Sequence, residues 1–302
     1  MKPATRADDL VALVGNTPLL DLSRLSPRAG VRLLGKAEWF NPGGSVKDRP
    51  ALWMVREGER SGALSKGKTI LEATSGNTGI GLAWIGASLG YPVTICLPAN
   101  ASEERRAALA AFGATLIETD PMLGTDGAIV EARRLAESPQ YFHPDQYASS
   151  ANTRAHYEST GPELLEQTEG AVTHFVAGLG TSGTMMGAGR RLREALPSVV
   201  RVGVQPDVAF HGLEGLKHMA TALVPAIYDP SMVDVQVTVT TEEAHAMCRR
   251  AAREAAAWVG VSSGAALFAA ARLAGTLEHG TIVVMLPDGG ARYASERFWS
   301  QA

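Results

Sequence analysis

The sequence predicts an α/β fold built from two doubly wound domains with mostly parallel sheets. Strand-like and helix-like segments alternate along most of the chain, and short turns that carry glycine connect them. In proteins with this alternation, helices cover both faces of a parallel sheet. The 302 residues, of which 45% are hydrophobic, are enough for one large domain or two smaller ones with a full core.

The predicted elements follow one another in order along the chain. The first strand, 31–38, alternates apolar and polar residues, and the strand at 93–97 is a continuous apolar run. The helix that begins near Ser102 has a serine N-cap and acidic residues in its first turn. The predicted strands are 31–38, 69–73, 93–97, 114–118, 172–177, 200–205, 233–239 and 281–286. The predicted helices are 51–61, 79–89, 102–112, 125–138, 185–195, 242–258 and 265–274.

Composition narrows the classes of function. The net charge of −3 gives no electrostatic reason to expect nucleic acid or an anionic membrane surface as a partner. No apolar run approaches the length of a membrane span, and residues 1–10 lack the apolar core of a secretion signal. Cys96 and Cys248 lie in apolar or helical patterns, so we predict buried, inert thiols and a cytoplasmic protein. The seven histidines are scattered without ligand spacing, which predicts no metal site.

A single lysine stands in a turn rich in glycine and proline, at residues 41–50, between the first predicted strand and the first predicted helix. Binding sites in α/β folds are commonly built at such strand-to-helix junctions. Lys47 has three interpretations: an ordinary solvated lysine, a point charge that binds phosphate, or a desolvated amine that forms a Schiff base with an aldehyde. The stretch alone does not decide among them.

Two further loops have the composition of anion sites. The segment 178–183 matches G-x-G-x-x-G, follows an apolar run and opens a helix, so its amides can hold a phosphate or a pyrophosphate. The hydroxyls of Thr181, Ser182 and Thr184 suit a phosphate monoester. The segment 74–78 also lies between a strand and a helix, and it either binds an anion or forms a simple Ser/Thr turn with an N-cap.

Five motifs, in order, give the chain a resemblance to the fold-type II enzymes that use pyridoxal 5′-phosphate, in particular the cysteine synthase / cystathionine β-synthase family. They are residues 14–19 (VGNTPL), 41–50 (NPGGSVKDRP), 72–79 (EATSGNTG), 178–184 (GLGTSGT) and 260–266 (GVSSGAA). Within the family the chain looks most similar to cysteine synthase B. The resemblance implies a tryptophan synthase β-like fold and a homodimer. It also implies a smaller mobile substrate-loop domain at 37–145 and a larger domain, 1–36 plus 146–302, that binds the cofactor phosphate.

The resemblance also assigns roles to residues. Lys47 would hold the cofactor and act as general base, Asn77 would bind its ring oxygen, and Ser262, or its neighbour Ser263, would meet its pyridine nitrogen. Ser262 could also serve as an N-cap of the following helix. The implied phosphate cradle consists of Gly180, Thr181, Ser182, Gly183 and Thr184. The residues implied in substrate binding are Thr74, Ser75, Gly76, Thr78 and Gln146, to which we add Lys217.

The implied reaction is β-replacement, in which an O-activated L-serine and a sulfur donor give L-cysteine. A serine at the pyridine nitrogen does not keep that nitrogen protonated, which favours direct loss of a β-leaving group. Relatives that use O-phosphoserine carry an arginine near the position of Lys217, so O-acetylserine and O-phosphoserine both remain open. Four competing hypotheses also stay open at this point. They are cystathionine β-synthase chemistry with homocysteine, a serine or threonine dehydratase, a non-catalytic partner protein and a dinucleotide-binding oxidoreductase.

Overall fold

The computed structural model describes residues 9–74 and 76–300. In chain order its strands are β1 (Leu19–Asp21), β2 (Val31–Ala37), β3 (Thr69–Ala73), β4 (Val93–Pro98), β5 (Thr115–Thr119), β6 (Tyr141–Phe142), β7 (His174–Gly178), β8 (Val200–Pro206), β9 (Val235–Val239) and β10 (Gly280–Leu286). Its helices are α1 (Asp48–Ser61), α2 (Asn77–Leu89), α3 (Glu103–Ala111), α4 (Gly124–Leu135), α5 (Ser150–Ala155), α6 (Gly161–Gln167), α7 (Arg190–Ala195), α8 (Thr241–Ala255) and α9 (Val261–Ala274). Two π-helical turns, His156–Thr160 and Met185–Gly189, precede α6 and α7.

The chain divides into two compact units. The first contains the described residues up to Asn16 together with Asn41–Asp145, and the second contains Thr17–Phe40 together with the described residues from Gln146 onward. Each unit has its own sheet with helices packed on it, and all but one of the strand pairs among the described residues are parallel. The predicted α/β fold with mostly parallel sheets is therefore confirmed.

The first unit is built on a four-stranded parallel sheet in the order β5-β4-β3-β6. Helix α2 is a central helix of this unit, with every residue from Thr78 to Gly86 buried. A helix that is apolar on all sides is typical of such a central position. Because β3 leads directly into α2, the turn between them lies at the carboxyl edge of the sheet.

The second unit is built on a six-stranded sheet in the order β1-β2-β10-β7-β8-β9, in which only β1 and β2 pair antiparallel. Helices α8 and α9 contribute to its core, and most of α9 is buried. A capping box between Thr240 and Glu243 fixes the start of α8. Strands β7 and β10 are parallel neighbours, so the segments that follow them emerge at the same edge of the sheet.

Several local predictions need correction. The stretch around residue 150, for which no element was predicted, begins a helical run that continues through α5, a π-turn and α6. Helix α9 starts at Val261 with Gly260 as N-cap, so the predicted N-cap role of Ser262 is wrong. Ser102 does precede α3, but its side chain forms no capping hydrogen bond.

Both cysteines are buried, as predicted. Burial, together with nearby acidic groups, raises the pKa of the Cys96 thiol to about 12, and burial likewise raises the pKa of Cys248 to about 12. These thiols therefore remain protonated and unreactive at neutral pH. None of the helices in the described part of the chain combines the length and apolar character needed to cross a membrane.

Candidate active site

The turn that carries Lys47 is fixed by hydrogen bonds within the first unit. Asn41 Oδ1 accepts from the main-chain N–H of Gly15 at 2.8 Å, and Asn41 Nδ2 donates to the carbonyl of Ser45 at 3.1 Å. The main-chain N–H of Lys47 donates to Ser45 Oγ at 3.2 Å. Gly44 has a φ of +78°, a conformation that explains the choice of glycine there. Lys47 is half-buried at the start of α1.

Asp48 ties this turn to helix α2. Its Oδ1 accepts from Trp84 Nε1 at 3.1 Å, and its Oδ2 accepts from the main-chain N–H of Gly43. Helix α2 can pack closely against the turn that carries Lys47 because residue 81 is glycine. A Cβ at that position would lie 3.3 Å from the carbonyl oxygen of Lys47. The lysine thus sits on a rigid frame that includes the helix following the 74–78 loop.

The 74–78 loop lies at the carboxyl edge of the first sheet. The main-chain N–H of Gly76 donates to Thr74 Oγ1 at 3.1 Å, so the Ser/Thr turn considered from the sequence is present. Thr74 and Thr78 are buried, Asn77 is the first residue of α2, and the prediction for Ser75 falls outside the described residues. The side chain of Arg105, itself 5% exposed, lies against Gly76, where a Cβ would be 2.9 Å from its Nε.

The glycine loop of the second unit follows β7 and is closely packed. A Cβ at Gly180 would collide with the carbonyl oxygen of Gly215, and a Cβ at Gly183 would collide with Asn152 Oδ1. Ser182 has a φ of +70°, which is uncommon for a residue with a side chain. Such positions often carry functional strain.

The loop fits a phosphate monoester. Ser182 Oγ is buried and forms no hydrogen bond to any part of the chain that the structure describes. A buried hydroxyl without a partner is costly, and a bound anion would supply one. The loop leads directly into the π-helical turn Met185–Gly189. Main-chain N–H groups at the start of a helical turn are free to donate to an anion, and the glycines of the loop leave room for it to approach the backbone.

Gln146 and Lys217 lie beside this loop in the second unit. Gln146 is 3% exposed, and its carbonyl oxygen accepts from Asn152 Nδ2 at 2.7 Å. The main-chain N–H of Lys217 donates to the carbonyl of Leu179 at 2.8 Å, and its Nζ lies 5.1 Å from the centroid of the Tyr147 ring. Lys217 is therefore a half-buried cation held over an aromatic face.

Ser262 and Ser263 differ in their surroundings. Ser263 is fully buried, and its Oγ donates to the carbonyl oxygen of Asp288 at 3.2 Å. Asp288 follows β10 and accepts a hydrogen bond from the hydroxyl of Tyr293 at 2.9 Å. Because the Ser263 hydroxyl is committed to backbone, Ser262 is the better candidate for contact with a ligand.

The side chains that support these loops were not predicted from the sequence. Asn152 contacts Thr181 and Gln146, and His156 Nε2 lies 3.3 Å from Thr184 Oγ1. Both belong to the helical run for which no element was predicted. Their spacing of four residues is the signal that could have placed them on one helix face.

Glycine-bearing loops at the carboxyl edges of parallel strands are typical of α/β proteins that bind a phosphorylated ligand. A family model for pyridoxal-phosphate dependent enzymes matches residues 10–288. The chain is 48% identical to a cysteine synthase of Aquifex aeolicus, covering 97% of this chain and 92% of that one. It is 45% identical to a cysteine synthase B of Pseudomonas aeruginosa, covering 93% and 94% of the two chains.

A solved structure agrees with these matches. The crystal structure of a cysteine synthase from Entamoeba histolytica superposes with a TM-score of 0.94 at 34% identity, covering 100% of this chain and 93% of that one. The chain therefore belongs to the pyridoxal-phosphate dependent enzyme family, and the predicted fold-type II architecture is confirmed. Pyridoxal 5′-phosphate is its cofactor, and the orphaned Ser182 hydroxyl and closely packed glycines fit the phosphate of that group.

Proposed function

We propose that the chain is a cysteine synthase that makes L-cysteine from an O-activated L-serine and a sulfur donor. The observation that carries this proposal is a loop suited to a phosphate monoester, in a chain that is 48% identical to a cysteine synthase. We also propose that the smaller domain, 37–145, carries Lys47 and the substrate-binding loop. The larger domain, 1–36 plus 146–302, would bind the cofactor phosphate.

Each predicted residue has a role in this proposal. When bound, the cofactor supplies an aldehyde for the amino group and a ring that stabilises charge at the substrate α-carbon. Lys47 Nζ holds the cofactor and takes the proton from that α-carbon. Gly180–Thr184 bind the phosphate, Asn77 and Ser262 orient the ring, and the 74–78 loop with Gln146 binds the substrate carboxylate.

We further propose a homodimer in the cytoplasm. The homodimer follows from the resemblance to the cysteine synthase branch, and two buried, unreactive thiols suit a reducing compartment. The leading substrate is O-acetylserine. O-phosphoserine is the second candidate because the half-buried Lys217 cation lies beside the glycine loop and can attract a substrate phosphate.

Visible spectroscopy tests this function. The purified chain is supplied with pyridoxal 5′-phosphate, and spectra are recorded before and after O-acetylserine or, separately, O-phosphoserine. We expect a yellow protein whose absorption changes with at least one ester, and formation of L-cysteine when sulfide follows. Faster formation of cystathionine with homocysteine than of cysteine with sulfide, measured in separate reactions, would favour the cystathionine β-synthase hypothesis. A protein that stays colourless would contradict the enzyme proposal.

A further inference from the structure

The helical run that begins at α5 presents two polar side chains to the glycine loop. Asn152 Nδ2 donates to Thr181 Oγ1 at 3.1 Å, and His156 Nε2 lies 3.3 Å from Thr184 Oγ1. Residues four positions apart lie on the same helix face. Asn152 is 1% exposed and His156 is also buried, so both contacts are shielded from water.

The orientation of the Asn152 amide is determined by its partners. The carbonyl of Gln146 can only accept hydrogen bonds, so the amide atom 2.7 Å from it must be the nitrogen. The same nitrogen uses its second hydrogen for Thr181 Oγ1. The amide oxygen then faces Gly183, where a Cβ would collide with it.

Thr181 Oγ1 consequently accepts two hydrogen bonds. One comes from Asn152 Nδ2, and a longer one, at 3.4 Å, comes from the main-chain N–H of Gly183. A hydroxyl has two acceptor lone pairs and one hydrogen to donate. With both lone pairs in use, the Thr181 hydroxyl can add only a donated hydrogen bond. A phosphate dianion can only accept hydrogen bonds, so it requires a Thr181 hydroxyl whose hydrogen is available for donation.

We propose that Asn152 is a positioning residue for the cofactor phosphate. It fills an acceptor site of Thr181 and thereby directs the Thr181 hydroxyl hydrogen toward the phosphate, while it also holds the backbone of Gln146 at the predicted carboxylate site. The inference rests on the proposed function, because it names a residue that prepares the same site. Asn152 acts through Thr181, so its effect depends on the phosphate group of the ligand.

The test compares two forms of the cofactor. Equilibrium dialysis of the cofactor-free, full-length chain gives the dissociation constants of pyridoxal 5′-phosphate and of pyridoxal, which lacks the phosphate. In N152A we expect affinity for the phosphorylated form to fall by about tenfold, because the hydrogen bond from the Thr181 hydroxyl to the phosphate is weakened and one hydrogen bond to a charged group is typically of this size. Affinity for pyridoxal should change by less than about twofold. If N152A does not fold, N152L replaces the amide by an apolar group of similar shape.

A double-mutant cycle tests whether the effect passes through Thr181. In a T181V background, which lacks the hydroxyl, adding N152A should cost less than about threefold in affinity for the phosphorylated form. T168V serves as the matched control. The Thr168 hydroxyl is similarly buried in the same unit and donates to the carbonyl of Leu164, with no hydrogen bond to the glycine loop among the described residues. T168V should leave the selectivity for the phosphorylated form unchanged.

The outcomes separate this inference from the function on which it rests. Equal loss of affinity for both cofactor forms, unchanged affinity for the phosphorylated form, or strict additivity with T181V would each overturn the role of Asn152 and leave the proposed function intact. A wild-type chain that binds neither form would overturn both.

Discussion

Lys217 gives the most direct test, at the level of single residues, of which activated serine the chain uses. Its ammonium is half-buried and lies over the Tyr147 ring beside the glycine loop. A partly desolvated cation attracts a phosphate dianion far more than a neutral acetyl group. In K217A we therefore expect the ratio of kcat/KM for O-phosphoserine to kcat/KM for O-acetylserine to fall by about tenfold, a typical value for one such charge pair.

The control for this experiment is K66A, which removes an exposed lysine from the first unit. It should leave the ratio unchanged. If K217A lowers kcat/KM equally for the two esters, Lys217 has a structural role. If K217A lowers kcat/KM for neither ester, Lys217 does not contact the substrate.

Adjacent serines illustrate the limit of sequence reasoning at this scale. The motif 260–266 allows either Ser262 or Ser263 at the pyridine nitrogen, because a shift of one residue preserves the pattern. Two structural features distinguish Ser262 from Ser263. They are the start of α9 at Val261 and the hydrogen bond from Ser263 to the carbonyl of Asp288. Such contacts depend on a residue that lies 25 positions away, so no local pattern carries them.

At the level of elements, buried parallel strands were predicted most accurately. Strands β3 and β4 match their predicted ranges to within one residue, because buried parallel strands are short, β-branched runs bounded by turns. The run from Ser150 to Gln167 was missed. Its small and polar residues, a Gly-Pro pair and a π-turn conceal its helical character, and its packing partners lie elsewhere in the chain.

His143 and Glu72 link β6 to β3 and predict a dependence of stability on pH. His143 Nε2 lies 3.5 Å from Oε1 of the fully buried Glu72. Burial disfavours the charged imidazole, but Glu72 and then Asp145 outweigh burial and the repulsion of Arg133, so the pKa of His143 is raised above its ordinary value. A raised pKa means that the contribution to stability is present in acid and is lost as pH rises through the folded-state pKa.

We therefore expect H143Q to lower the free energy of unfolding more at about pH 5.5 than at about pH 8.5, by a difference on the order of 1 kcal/mol. Urea denaturation at the two pH values measures this difference. H279Q makes the same substitution at an exposed histidine and should show no such difference. A larger loss for H143Q at the higher pH would contradict the assigned sign.

At the level of the whole molecule, five motifs spread over nearly the full length identified the family before any geometry was known. The structure adds supporting side chains for two of these motifs, each within its own unit: Asn41 and Asp48 around Lys47, and Asn152 and His156 behind the glycine loop. The motif residues could be named from the sequence because they carry the pattern by which the family is recognised. The side chains that support these motifs could not be predicted, because several residue types can fill a supporting position and no sequence pattern marks it.

Lys47 is proposed to hold the cofactor, and trapping with borohydride is the measurement that tests this role. Reduction makes the bond between a lysine Nζ and the cofactor aldehyde carbon permanent, and proteolysis followed by mass spectrometry locates the label. We expect a single labelled lysine, Lys47, and no label in K47A. A label on another lysine, or no label when the cofactor is supplied in excess, would contradict the role of Lys47.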